Sequence, residues 1–216
     1  YKRQVQGQRF QPTGFPNLGA ATYTTKSGAS LLVESAQSMA NRLENVCWDT
    51  NGNDWIAPLR GLPLVFVKDK DGLPLTNSVL EAHRLNSAYI EKADGGQFHK
   101  RLAAEIGYKD GTPIDQNKFG RAILKFDVNS LIHGVFLESI AGRLRIPRAL
   151  TAFIEARNVT VAASAGVKND NVKPGKGDAG QTSKEGFGNI PFHRDEFCGD
   201  IIAFFNVDLA QIRGYG

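Results

Sequence analysis

Stretches that alternate apolar and polar residues at every second position, as strands do, follow and precede stretches with the three- and four-residue spacing of helices, and no regular βαβ period links them. That irregular interleaving argues against a doubly wound parallel sheet. It predicts an α+β fold: a mostly antiparallel sheet, helices on one face, and large insertions. The chain has 216 residues, enough to bury a core without staples, and 1–216 is read as one domain with insertions near 49–118 and 166–189.

Residues 31–48 carry the clearest helical period. Leu32, Ala36, Met39, Ala40, Leu43 and Cys47 form one apolar stripe, while Ser35, Gln37, Ser38, Asn41, Arg42 and Asn45 lie off it, so one side should bury and the other face water. Leu64-Val65-Phe66-Val67 reads as a strand turned by Lys70-Asp71-Gly72, and residues 78–106 read as mostly helical with a break near Asp94-Gly95-Gly96. Leu124, Phe126 and Val128 alternate and predict a strand over 122–128, followed by an apolar run from Leu131 to Ile140. Pro147 suits an early helical position, which predicts a short helix on Ala149, Leu150, Phe153 and Ile154. Strands are expected over 159–163 and 201–207, and the glycine- and lysine-bearing segment 166–189 is expected to be a long mobile loop.

Two cysteines, Cys47 and Cys198, cannot build a disulfide framework or a four-ligand zinc site. No apolar run approaches the roughly 18 residues of a membrane helix, and no charged-then-apolar leader opens the sequence. A cytoplasmic protein with no membrane partner is therefore expected. Tyr1 opens the sequence and the only methionine is Met39, which predicts an excerpt of a longer chain.

Twenty-six basic residues against 22 acidic ones leave a small surplus that suggests an anionic partner, and its distribution matters more than its sum. Residues 1–50 carry five Lys/Arg against three acids, 51–115 carry eight against nine, and 116–216 carry thirteen against ten, so the two flanks are basic.

Most motifs in the sequence fail on context. Gly175-Lys-Gly-Asp-Ala-Gly180 spells the dinucleotide fingerprint, but neither a buried strand precedes it nor an apolar helix follows it, so a flexible loop is the better reading. His193-Arg194-Asp195 mimics a kinase catalytic loop without the other kinase elements. His83, His99, His133 and His193 have no i, i+4 partner and suit structural or surface roles. No Gly-x-Ser-x-Gly elbow is present, and Cys47 reads as a small core residue. Neither a catalytic residue, a metal site nor a cofactor is expected.

Polar and basic surfaces suited to phosphate survive this sorting. Ser35-Ala36-Gln37-Ser38 stands at a helix start, where orphan amides and short polar side chains can receive phosphate oxygens; Asn41 and Arg42 extend that surface by a turn. The same residues could equally do no more than cap and solvate the helix, and both readings stay open. Arg143, Arg145 and Arg148 form a second basic patch, with solvated charge as its plain alternative. Phe187, Phe192 and Phe197 interleave with Gly186, Gly188, His193 and Arg194, a mixture that suits single-stranded nucleic acid, although core packing explains two of the three rings as well.

Taken together, residues 9–21 (Arg9-Phe10-Gln11-Pro12-Thr13-Gly14-Phe15-Pro16-Asn17-Leu18-Gly19-Ala20-Ala21), 33–44 (Val33-Glu34-Ser35-Ala36-Gln37-Ser38-Met39-Ala40-Asn41-Arg42-Leu43-Glu44), 80–87 (Leu80 to Ser87), 142–150 (Gly142 to Leu150) and 186–194 (Gly186 to Arg194) resemble one family. It is the RAMP-superfamily, Cas-seven-type, CRISPR RNA-binding backbone subunit of the type I-G (formerly I-U) CRISPR Cascade complex. The resemblance implies an RRM-like or ferredoxin-like palm with inserted thumb and finger elements. It implies a non-catalytic subunit that polymerises head to tail along a CRISPR RNA, meets target DNA through the guide, and joins other Cascade subunits. It carries RNA contact to Ser35, Gln37, Ser38 and Arg42; Asn41 stands where relatives often have Lys. The roles of Arg143, Arg145, Arg148, Gly186, Gly188, His193 and Arg194 are inferred from their place in matching strings.

Two alternatives remain. One is a target-RNA endonuclease of the same superfamily using a loop carboxylate such as Asp170 or Asp178; the other is a protein-interaction module without nucleic acid.

Overall fold

The computed structural model describes residues 4–6, 9–12, 14–15, 19–140, 142, 144–168 and 190–215. In chain order the strands β1 (Gln4–Gln6), β2 (Arg9–Phe10), β3 (Gly14–Phe15), β4 (Gly19–Ala20), β5 (Thr22–Thr25) and β6 (Gly28–Glu34) lead into helix α1 (Ala36–Val46). Two short ladders follow, β7 (Trp48–Asp49) with β8 (Asp54–Trp55) and β9 (Phe66–Lys68) with β10 (Pro74–Asn77). Then come helices α2 (Ala88–Lys92), α3 (Gln97–Ile106), α4 (Gln116–Phe126) and α5 (Val128–His133) and the hairpin of β11 (Val135–Leu137) and β12 (Leu144–Ile146). The long strands β13 (Leu150–Lys168) and β14 (Ile190–Val207) and the short α6 (Leu209–Arg213) complete the described chain. This is an α+β fold with antiparallel pairing, as the irregular interleaving predicts.

The chain divides into two compact units, residues 1–34 with 154–203 and residues 35–153 with 204–216. The first is built on a six-stranded sheet in the order β1-β2-β14-β13-β6-β5. Alternation along β6 buries Leu31 and Val33, which pack with Phe10, Ala156 and Phe197. The Phe10 and Phe197 rings lie 6.4 Å apart, so Phe197 is a core aromatic. Arg9 reaches the buried Glu196 at 3.4 Å.

The second unit has the larger core. Leu85, Leu102, Phe119, Ile123, Leu137 and Leu144 come from helices, a 3-10 turn and the β11–β12 hairpin and are almost wholly buried. Asp115 caps α4, its Oδ1 accepting from the backbone N–H groups of Asn117 and Lys118 at 3.0 and 3.1 Å. A satellite cluster joins Trp48, Trp55 and Val79, with the two indoles edge to face at 6.1 Å.

Three expectations need correction. The predicted helix over 31–48 is a helix only from Ala36; residues 31–34 belong to β6, because Leu31, Leu32 and Glu34 pair with Ala156, Glu155 and Ile154, and Leu31 and Val33 bury in the core of the sheet before Ser35 caps the helix. Residues 122–126 are the last turns of α4, not a strand, since Phe119, Ala122 and Ile123 fall on one buried helical face and outweigh a short alternation. Residues 149–154 form no helix: Leu150 opens β13, whose aromatic and β-branched residues Thr151, Phe153, Ile154, Val159 and Thr160 favour extended backbone. Of the predicted loop 166–189, residues 166–168 end β13 and 169–189 lie outside the described residues, as does the Gly175–Gly180 motif.

Candidate nucleic-acid interface

The start of α1 is fixed by its own sequence. Ser35 adopts the extended backbone of an N-cap, φ −74° and ψ 162°, and its side chain accepts from the Ser38 backbone N–H at 3.2 Å. From there Gln37, Asn41 and Glu44 fall at i, i+4 and i+7, on one face of the helix. Gln37 and Asn41 are exposed, whereas Glu44 is buried. The polar face therefore descends into the protein instead of facing water along its whole length.

At its buried end that face is neutralised. Arg84 is only 7% exposed and grips Glu44 with two bonds, Nε to Oε1 at 2.6 Å and Nη2 to Oε2 at 2.9 Å. Its Nη1 donates to the Gly134 carbonyl at 3.2 Å, and Asn129 Nδ2 donates to Glu44 Oε1 at 2.5 Å. Arg84 holds a positive φ of 52°, a conformation that non-glycine residues seldom adopt and that this bonding retains. Gly134 is required where it stands: its φ is 81°, and a Cβ there would lie 2.8 Å from the Ile146 carbonyl.

The β11–β12 hairpin supplies the opposite wall. Its register pairs Val135 with Ile146, Phe136 with Arg145, and Leu137 with Leu144. Alternation sends Val135, Leu137, Leu144 and Ile146 into the core and leaves Phe136 and Arg145 outward, side by side, with the guanidinium 5.9 Å from the ring centroid.

Between α1, the 3-10 turn Arg84–Asn86 and this hairpin lies an open pocket of about 460 Å³. It is lined by Gln37, Asn41, His83, Arg84, His133, Phe136, Arg145 and Arg148. Glu44 grips Arg84 with both oxygens; the Glu44 charge also acts on Arg148, whose Nε is buried and makes no hydrogen bond. Burial, with Arg84 nearby, lowers the pKa of the Arg148 guanidinium, yet arginine keeps its charge in proteins. His133 Nδ1 is likewise buried without a partner. Burial, and then the cations of Arg84 and Arg148, pull the His133 pKa down to about 4, so the imidazole is neutral at pH 7. A group entering here meets fixed positive charge, two side-chain amides and an aromatic face. Such a lining suits an anionic group.

Four of the sequence-derived residues, Gln37, Asn41, Arg145 and Arg148, meet in this one pocket although more than a hundred positions separate the first from the last two. Ser35 is the helix cap, Ser38 supplies the capped N–H, and Arg42 is exposed on α1; none of the three lines the pocket. Arg143, Gly186 and Gly188 lie outside the described residues. His193 and Arg194 lie on β14, in the other unit. Sequence reasoning missed Arg84, His133 and Phe136 as pocket residues. The alternation Val135-Phe136-Leu137, which leaves one ring outward, was a usable signal for the last; nothing local marks a buried Arg–Glu pair forty positions apart.

The amino-acid sequence also matches a protein family, described as CRISPR-associated protein GSU0053, over residues 3–161. The chain belongs to this family. All the pocket-lining residues fall within the matched span. No curated protein matches the chain. Among the described residues no helix is long and apolar enough to cross a membrane.

Proposed function

We propose that this CRISPR-associated protein is a non-catalytic subunit that binds CRISPR RNA through its sugar–phosphate backbone, and that the α1–hairpin pocket is the place where a phosphate is held. The observation that carries this reading is the convergence of Gln37, Asn41, Arg145 and Arg148 on one pocket, with the Arg148 Nε buried and lacking a partner. A buried N–H of a charged group that lacks an acceptor is costly, and a phosphate oxygen is an acceptor that suits it.

The function fits the chemistry. A guide differs from one spacer to the next, so its carrier needs donors aimed at the backbone and none aimed at base edges, while pairing with the target supplies specificity. Repetition of one subunit along one RNA follows from a head-to-tail contact that does not close, which yields a helical row. On this reading the protein is the backbone subunit of a type I Cascade complex of the I-G kind. It works with further copies of itself, the other Cascade subunits and, through the guide, target DNA.

The test is fluorescence anisotropy of labelled single-stranded RNA against the whole protein. Arg148→Ala and Asn41→Ala should weaken binding of unrelated RNA sequences by the same factor. Equal affinity of wild type and both variants would overturn the proposal.

A further inference from the structure

The pocket has a feature that backbone recognition does not use. Phe136 is 39% exposed, although the strand it sits on has buried neighbours on both sides. Its ring lines the pocket next to the Arg145 guanidinium, and Arg148 and Asn41 line the same cavity. We infer that this pocket takes one whole nucleotide of a single strand: the phosphate lies against Arg148, Asn41 and Gln37, and the base stacks on the platform made by Phe136 and Arg145.

Three observations lead there. About 460 Å³ lies within the range of small-ligand pockets and exceeds what a phosphate group alone needs. Gln37 and Asn41 come from α1, Arg148 from just beyond β12 and the Phe136–Arg145 pair from the hairpin, so one cavity offers side-chain amides and a cation together with an aromatic face. Cross-strand pairing of Phe136 with Arg145 holds ring and guanidinium together on one face of the hairpin, and both are groups on which unpaired bases stack. Stacking reads no letters, since every base presents a π-face, and it is thus compatible with a guide of any sequence.

This inference rests on the RNA-binding reading above, and the experiment separates the two. The whole protein is titrated into a short labelled RNA and into a strand of equal length with abasic riboses in place of the bases, using wild type, Phe136→Ala, Phe136→Trp and Arg148→Ala. Phe136→Ala should lower affinity for the normal strand by about 5- to 100-fold and leave the abasic strand unchanged, and Phe136→Trp should bind both strands as wild type does. Arg148→Ala should weaken both strands alike. Equal losses on the two strands with Phe136→Ala, or no loss on either, would overturn the stacking site while leaving phosphate binding intact. No effect of Arg148→Ala on either strand would instead overturn the RNA-binding reading. Thermal melting checks folding, and Phe136→Leu, which keeps the apolar bulk without the ring, is scored by the same criteria if the alanine variant melts early.

Discussion

Glu44 of α1 and Arg84 of the 3-10 turn form a buried, two-pronged ion pair, with Nε to Oε1 at 2.6 Å and Nη2 to Oε2 at 2.9 Å. Through Gly134 the same guanidinium also ties down the start of β11. One arginine therefore connects the helix that carries Gln37 and Asn41 to the hairpin that carries Phe136 and Arg145. Arg84 also lines the pocket between the two walls.

Removing either partner should cost about 3–5 kcal/mol, because the survivor is left as an uncompensated buried charge. Urea unfolding of Glu44→Ala and Arg84→Ala measures this. The double variant Glu44→Leu/Arg84→Leu should lose much less than the two single losses added together. Arg84→Lys should not rescue, since one ammonium cannot reproduce the fork and also reach the Gly134 carbonyl.

Two buried titratable groups near this pair pull stability in opposite directions with pH. Asp127 is pushed up to about 6, first by burial and against hydrogen bonds from Ser130 and Ser78. The folded state then holds a proton that the unfolded state has released, so stability falls as pH rises from about 4 to 6, by up to about 3 kcal/mol. His133, pulled down to about 4, does the reverse: the unfolded state takes up the proton first, so stability rises over about pH 4 to 6.5. Wild type should accordingly show a shallow pH dependence of its urea midpoint in this window. Asp127→Asn should expose a rising curve and His133→Gln a falling one; parallel curves for all three proteins would contradict both assignments.

Ser35 offers a way to separate capping from RNA contact. Ser35→Ala should lose about 1 kcal/mol of stability with the cap bond to Ser38. Ser35→Asp should retain stability, since aspartate is as good a cap. If Ser35 also meets phosphate, the added negative charge of Ser35→Asp lowers RNA affinity; the position of Ser35 outside the pocket lining predicts only a small change.

The sequence was most legible where a local rule acts on one element. The polar side of α1, the turn at Lys70-Asp71-Gly72 and the outward place of Arg145 all follow from helical period, turn chemistry and alternation. It misled where two periods fit the same few residues. Leu124 and Phe126 alternate, yet they end a helix whose buried face also includes Phe119 and Ile123. Ala149 to Ile154 follow a proline as a helix would, yet Leu150 opens a strand that pairs through Ile154 and Glu155 with Glu34 and Leu32. The pocket itself was half legible. Its rim residues are polar in an otherwise amphipathic pattern, but its floor depends on Arg84 meeting Glu44 and on Gly134 passing close to Ile146, contacts that only the fold creates.

The salt dependence of single-stranded RNA binding tests the central claim most directly. For the whole protein, log affinity should fall linearly with log salt, with the same slope for unrelated RNA sequences, and Arg148→Ala should reduce that slope by about 0.7, the contribution of one neutralised phosphate on a single strand. An unchanged slope and affinity in Arg148→Ala, or wild-type binding that ignores salt and follows base sequence, would contradict the account.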